Sequence, residues 1–182
     1  MTSDIFTTEQ TIKALRRRVV RERGRRSLAI SLAVTAVLTF ALLGFVFGIA
    51  GVRGDSMAPA IVNRDMLLFA RVGGYGRGDV VLFSTVEETE ENIKRIIAMP
   101  GETVFIDENG QVLVNGVAVG EPSSGQATLR KDGIEYPLML AEDEYFVMGD
   151  SRGASLDSRN YGAIKAERII GRVLAVLRLR DF

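Results

Sequence analysis

The sequence predicts a mainly β fold: an antiparallel β-sheet domain preceded by one N-terminal transmembrane helix. Three features carry that expectation. Leu28 to Ala50 is a run of 23 residues without a charge, proline, asparagine or glutamine. From residue 51 onward, short β-branched runs alternate with glycine, proline and asparagine turns, which is the punctuation of strands rather than helices. Within that part, Asn115-Gly116 between two apolar runs is a strong two-residue hairpin signal.

Residues 1–26 come first, and they are basic. The formal charge of zero conceals a split: this stretch carries eight basic and three acidic side chains, and the remainder fifteen and twenty. Residues 9–26 read as a basic juxtamembrane helix. As a helix, the apolar run that follows spans about 34 Å at ~1.5 Å per residue, enough for a hydrocarbon core of about 30 Å. The apolar part of a secretory signal peptide is shorter, roughly 7–15 residues, so the run reads as a retained span, although Gly48-Ile49-Ala50 places small residues at cleavage-like spacing. The basic cluster in front of it puts the N-terminus in the cytoplasm and residues from about 51 outside. The expected organisation is a basic cytoplasmic tail over 1–26, a single transmembrane helix over 27–50 and an extracytoplasmic β-rich domain over 51–182.

In that domain, Asp65–Ala70 reads as a strand and Gly73–Gly78 as a glycine-rich loop. Val80–Thr85 and Asn92–Ala98 read as strands on either side of an acidic turn, Glu87–Glu91, with Pro100-Gly101 ending the second. Val104–Ile106 and Val112–Val114 flank a turn at Asp107–Gly110. Gly120–Gln126 reads as a surface loop, and Glu144–Met148 and Ile169–Leu179 as strands. The sequence contains no internal repeat, P-loop, dinucleotide fingerprint or metal-ligand spacing.

Composition narrows the chemistry. The chain has no histidine, which excludes a Ser-His-Asp triad, and no cysteine, which excludes thiolate catalysis, disulfides and zinc-finger spacing. A serine hydroxyl is a poor nucleophile until a base takes its proton. Ser56, in the turn Gly54-Asp55-Ser56-Met57-Ala58-Pro59, is the candidate nucleophile. Lys94, in the apolar strand pattern Asn92-Ile93-Lys94-Arg95-Ile96-Ile97, is the candidate base, because burial disfavours the ammonium form. Each residue also has a plainer reading: a turn serine bonded to its own backbone, and a solvated strand lysine.

Four blocks change that balance. They are Gly54 to Pro59 (G-D-S-M-A-P), Gly78 to Phe83 (G-D-V-V-L-F), Lys94 to Glu102 (K-R-I-I-A-M-P-G-E) and Gly149 to Gly162 (G-D-S-R-G-A-S-L-D-S-R-N-Y-G). In this order, behind a membrane span, the chain resembles bacterial type I signal peptidases over roughly residues 28–178. The resemblance implies a catalytic domain of the signal peptidase/LexA-like type. It implies Ser56 as nucleophile, Lys94 as general base, Ser155 orienting Lys94, and Asp157 and Arg159 as the ion pair of the last block. Met57 and Pro59 shape the serine turn. Where some family members carry a serine hydroxyl for the oxyanion, this chain has Gly54. The Ser56 N–H is therefore the expected donor, with the Gly54 backbone or a water as the second. Further departures are Ala60-Ile61, Ala98-Met99 and Ser151.

The implied substrates are the signal peptides of exported preproteins, cut after Ala-x-Ala-like sites. The peptide lies extended between the segments Ala50–Asp55 and Glu91–Ile93, with Val52, Met57, Ile61 and Ile93 forming shallow pockets. The lipid bilayer is the other expected partner; no cofactor, metal or nucleic acid is expected. Three alternatives stay open: a self-cleaving LexA-type protein, disfavoured by the span where a DNA-binding domain would stand; a conjugation-type Ser/Lys peptidase with a dedicated substrate; and a membrane-anchored β domain that binds exported proteins without cutting them.

Overall fold

A computed structural model describes residues 2–85, 91–120, 125, 128–131 and 133–178, with the side chains of 2–20 and of residue 22 excluded. The chain forms two compact units, Met1–Phe45 and Val46–Phe182.

The first unit lies within one helix, α1 (Thr2–Val46). It contains no proline, and its Leu- and Ala-rich second half has high intrinsic helix propensity. The part over Arg23–Val46 has a mean hydropathy of 2.4 and none of it is buried. Leu32 and Phe40, for example, are 62% and 81% exposed. The helix stops at Val46, four residues short of the expected span end at Ala50.

Those four residues and Gly51 instead form β1 (Phe47–Gly51), paired antiparallel with β2 (Met66–Ala70). The switch has local causes. Glycines at 48 and 51 weaken helix and Ile49 favours strand. A Cβ at Gly48 would collide with the Phe69 ring as it lies, so a larger residue there would have to displace that ring. Within the second unit, Arg71 holds the start of β1, with its N–H donating to Val46 O at 2.8 Å and Nη1 to Phe47 O at 2.6 Å.

The remaining strands are β3 (Val80–Ser84), β4 (Glu91–Ala98), β5 (Thr103–Ile106), β6 (Val112–Val114), β7 (Val117–Ala118), β8 (Leu138–Met139), β9 (Glu144–Met148), β10 (Ile164–Lys165) and β11 (Ile169–Leu177). A short helix, α2 (Ser158–Tyr161), precedes β10. The strands form a seven-stranded sheet in the order β1-β2-β11-β3-β4-β9-β10 and a four-stranded sheet in the order β7-β6-β5-β8. Every pair is antiparallel. Asn115 and Gly116 both take positive φ, 51° and 79°, as a twisted two-residue hairpin between β6 and β7 requires.

Ile97, Val104, Ile106, Phe146 and Met148 belong to an apolar cluster shared by the two sheets. A second cluster, with Val52, Met57, Ile61, Leu67, Phe69 and Leu82, lies under the loop between β1 and β2. Most of the expected acidic turn, most of the expected loop at 120–126 and the last residue of the expected final strand lie outside the described residues.

Candidate active site

Ser56 sits in the loop that joins β1 to β2. Two hydrogen bonds close its base, Val52 N–H to Asp65 O at 2.8 Å and Arg64 N–H to Val52 O at 3.0 Å. Met57 and Ile61 are buried beneath it and joined by Ile61 N–H to Met57 O at 2.9 Å. Gly54 has φ +81°, a conformation open to glycine and strained for other residues. Arg178, just beyond β11, clamps the loop from outside. It donates to both Asp65 carboxylate oxygens, at 2.9–3.3 Å, and to Ala60 O at 3.2 Å.

Lys94 enters from β4. Its amine is buried, with the residue 4% exposed, and Nζ donates to Ser56 Oγ at 2.9 Å. That is direct proton-transfer distance between a hydroxyl and a base. Its neighbour Arg95 grips Asp150 through Nε–Oδ1 at 2.8 Å and Nη2–Oδ2 at 2.6 Å, and donates to Gly78 O at 2.8 Å. The hydrogen bond to buried Asp150 raises the Arg95 pKa, against the opposing pull of burial. Sequence reasoning missed this pair. β4 thus delivers the lysine to the serine and the arginine to the loop that follows β9.

That loop, residues 149–159, closes the site from the other side. Ser151 N–H donates to Ser56 O at 3.0 Å. Gly149 is wedged between the two serines of interest: an added Cβ would collide with Ser155 Oγ and lie 2.5 Å from Ser56 O. Ser155 is buried, and its hydroxyl donates to Leu156 O at 3.4 Å. Asp157 and Arg159, 0% and 1% exposed, form a two-pronged pair, Nε–Oδ1 2.8 Å and Nη2–Oδ2 2.9 Å. Arg159 Nη2 also donates to Arg152 O at 2.6 Å, and Gly149 N–H donates to Asp157 Oδ2 at 3.1 Å. Burial pushes the Asp157 carboxyl up. The hydrogen bond and charge of Arg159, then the Gly149 N–H and the Ser155 hydroxyl, outweigh that and hold it below its ordinary value. Asp157 also caps α2 in a reciprocal box with Asn160, so the same carboxylate pairs with Arg159 and starts the helix.

Two expectations meet a different geometry. The Gly54 N–H, a candidate oxyanion donor, donates to Asn63 Oδ1 at 3.2 Å, and Asn63 N–H donates to Asp55 Oδ1 at 3.1 Å. This exchange already engages Gly54 and shapes the serine turn. Among the described residues, the Ser56 N–H makes no backbone hydrogen bond. Of the four residues expected to form pockets, Val52, Met57 and Ile61 are core residues, whereas Ile93 packs against the same cluster and stays partly exposed. A hollow of about 440 Å³ lined by Arg130, Lys131, Gly133, Ile134, Glu135 and Tyr136 includes neither Ser56 nor Lys94. Among the described residues, no group of three or more histidine, cysteine, aspartate or glutamate side chains is placed to hold a metal ion.

An antiparallel β domain that sets a serine hydroxyl against a buried amine, in a chain without histidine, has the arrangement of a serine peptidase. The family described as Signal peptidase, peptidase S26, matches residues 25–178. Signal peptidase I S of Bacillus subtilis (strain 168) is 33% identical over 154 residues, 78% of this chain and 82% of that protein. Signal peptidase I P of Bacillus subtilis subsp. natto is 33% identical over 141 residues, 71% of this chain and 75% of that protein. A solved signal peptidase I from Enterococcus faecalis V583 is 30% identical, with a TM-score of 0.47, covering 57% of this chain and 99% of that one. The chain belongs to the signal peptidase family, peptidase S26, and is a serine endopeptidase.

Proposed function

We propose that this enzyme removes N-terminal signal peptides from exported preproteins, cutting after Ala-x-Ala-like sites through a Ser56/Lys94 dyad. The observation that carries the reading is the 2.9 Å contact between Lys94 Nζ and Ser56 Oγ at a buried amine. Desolvation favours the neutral amine. Neutral Lys94 takes the Ser56 proton as Oγ attacks the scissile carbonyl. Lys94 then gives that proton to the leaving amine, and an ester remains on Ser56. Water, deprotonated by Lys94, attacks the ester and releases the signal peptide's new C-terminus. The Ser56 N–H is a donor for the oxyanion in both halves. Ser155 orients the lysine, and the Asp157–Arg159 pair fixes the loop that carries Ser155.

The substrate lies as an added strand beside β4. In support, the ladder between β4 and β9 begins at Arg95 and does not extend to 91–93. The apolar half of α1 is the membrane anchor, and the basic tail before it holds the N-terminus in the cytoplasm.

The test uses the full chain in detergent with a precursor carrying an Ala-x-Ala site. Wild type should cut after the second alanine. Ser56→Ala and Lys94→Met should each lose at least ~10³-fold in rate, and the double variant should be little worse, because the two groups act as a unit. A Ser56→Ala variant that still cuts at the wild-type rate would sink the reading.

A further inference from the structure

One four-residue segment, 128–131, makes three hydrogen bonds to the loop that closes the site. The buried Thr128 accepts at Oγ1 from Arg152 Nη1. Leu129 O accepts from Arg159 Nη1 at 3.3 Å. Lys131 Nζ donates to Ser155 O at 2.7 Å. The same segment is fastened on its other side to the four-stranded sheet. Thr128 N–H donates to Gly110 O at 3.1 Å, and Arg130 Nε donates to Ile106 O at 2.5 Å. The Arg130 guanidinium lies over the Phe105 ring at 4.9 Å and the Tyr136 ring at 5.6 Å, a cation–π arrangement on the sheet that ends in β8.

Each of the three bonds ends on a residue that touches Gly149 or pairs with Asp157. Ser155 is the residue whose side chain abuts Gly149, against the Ser56 carbonyl. Arg159 is the partner of Asp157. Arg152 is itself buried, and its Nε donates to Gly149 O at 3.0 Å. Its hydrogen bonds among the described residues go to neutral oxygens, Gly149 O and Thr128 Oγ1. Removing the Thr128 hydroxyl therefore leaves a buried guanidinium N–H without its acceptor, which strains Gly149 from behind. The Lys131 bond acts on the Ser155 main chain, one residue from Leu156 and two from Asp157.

We propose that Thr128 and Lys131 are positioning residues for the Ser56/Lys94 pair, acting through Arg152 and Ser155. The segment is a strap by which the four-stranded sheet holds the loop in the register that the chemistry needs. This rests on the dyad reading above. Because a displacement of about 1 Å at a reacting pair lowers turnover by up to ~10²-fold, slack in the strap should appear in kcat rather than in KM.

The experiment measures kcat and KM on the precursor for the full chain in detergent, well below the unfolding midpoint of each variant. Lys131→Met should lower kcat about 10-fold or more while KM stays within about twofold. Lys131→Arg, which keeps a donor, should recover most of the rate. Thr128→Val should behave like Lys131→Met, and Thr128→Ser should recover. Should Thr128→Val fail to fold, the partly exposed Lys131 decides alone. A folded Lys131→Met variant with wild-type kcat would overturn the strap. So would Lys131→Arg as impaired as Lys131→Met. Loss of activity in Ser56→Ala, measured alongside, keeps the two readings apart: its absence refutes the dyad, whereas its presence with an unimpaired Lys131→Met refutes only the strap.

Discussion

Gly149 shows how little room there is around Ser56. Its missing side chain is filled on one side by Ser155 and on the other by the Ser56 carbonyl. Gly149→Ala must push those two apart, because the obstructing atoms include backbone. We expect kcat to fall by up to ~10²-fold with KM little changed, measured on the precursor with the fold checked by circular dichroism. A kcat equal to wild type would show that the Ser155–Ser56 spacing is not critical. At this scale the sequence named the candidate pair. The absence of histidine and the Gly-Asp-Ser-Met turn pointed to Ser56 and Lys94, and the structure brings them to 2.9 Å. It was uninformative about hydrogen-bond traffic. That Asn63 occupies the Gly54 N–H depends on how the turn folds over itself. Likewise, strand alternation could set Arg95 apart from Lys94, but nothing local names Asp150 as its partner.

At the scale of elements, the loop after β9 and helix α2 share one carboxylate, which makes them jointly sensitive to acid. The folded-state pKa of Asp157 lies below its unfolded value of 3.8. Asp157 therefore contributes stability that is fully present above about pH 4 and is lost as pH falls through the lower folded value. Asp157→Asn should flatten this part of the stability–pH curve, read as unfolding midpoint against pH. An unchanged acid slope would show that the pair does not set it. Arg159→Met at neutral pH leaves a buried carboxylate without its partner and should destabilise by about 3–5 kcal/mol. The strands β3, β4, β9 and β11 were legible from β-branched and aromatic runs, and the β6–β7 hairpin from Asn115-Gly116. β1 was not, because Phe47–Gly51 continues the apolar composition of the span and becomes a strand only by pairing with β2. β8 and β10 are two residues each and owe their existence to the neighbours they pair with.

For the whole molecule, charge and hydropathy are distributed along the chain in a way that a soluble fold does not need. A helix with Phe40 81% exposed and nine further large apolar side chains exposed along it leaves a large unburied surface that water disfavours. A basic block lies on its N-terminal side and the catalytic domain on the other. Protease added to intact spheroplasts should digest the domain beyond about residue 55 and spare a tag at Met1. Protection of the domain would contradict this orientation. The apolar helix was legible in the sequence because its length and apolarity can be read residue by residue. Its end was not, because that is fixed by Arg71 and β2.

The proposed role of Lys94 as the base for Ser56 is tested most directly by trapping the acyl-enzyme. The full chain in detergent is mixed with an Ala-x-Ala peptide ester, quenched at short times, and the acylated residue is located by tandem mass spectrometry. The expected result is an acyl group on Ser56, with formation at least ~10³-fold slower in Lys94→Met. An acyl group on any other residue, or undiminished acylation of Ser56 in Lys94→Met, would contradict it.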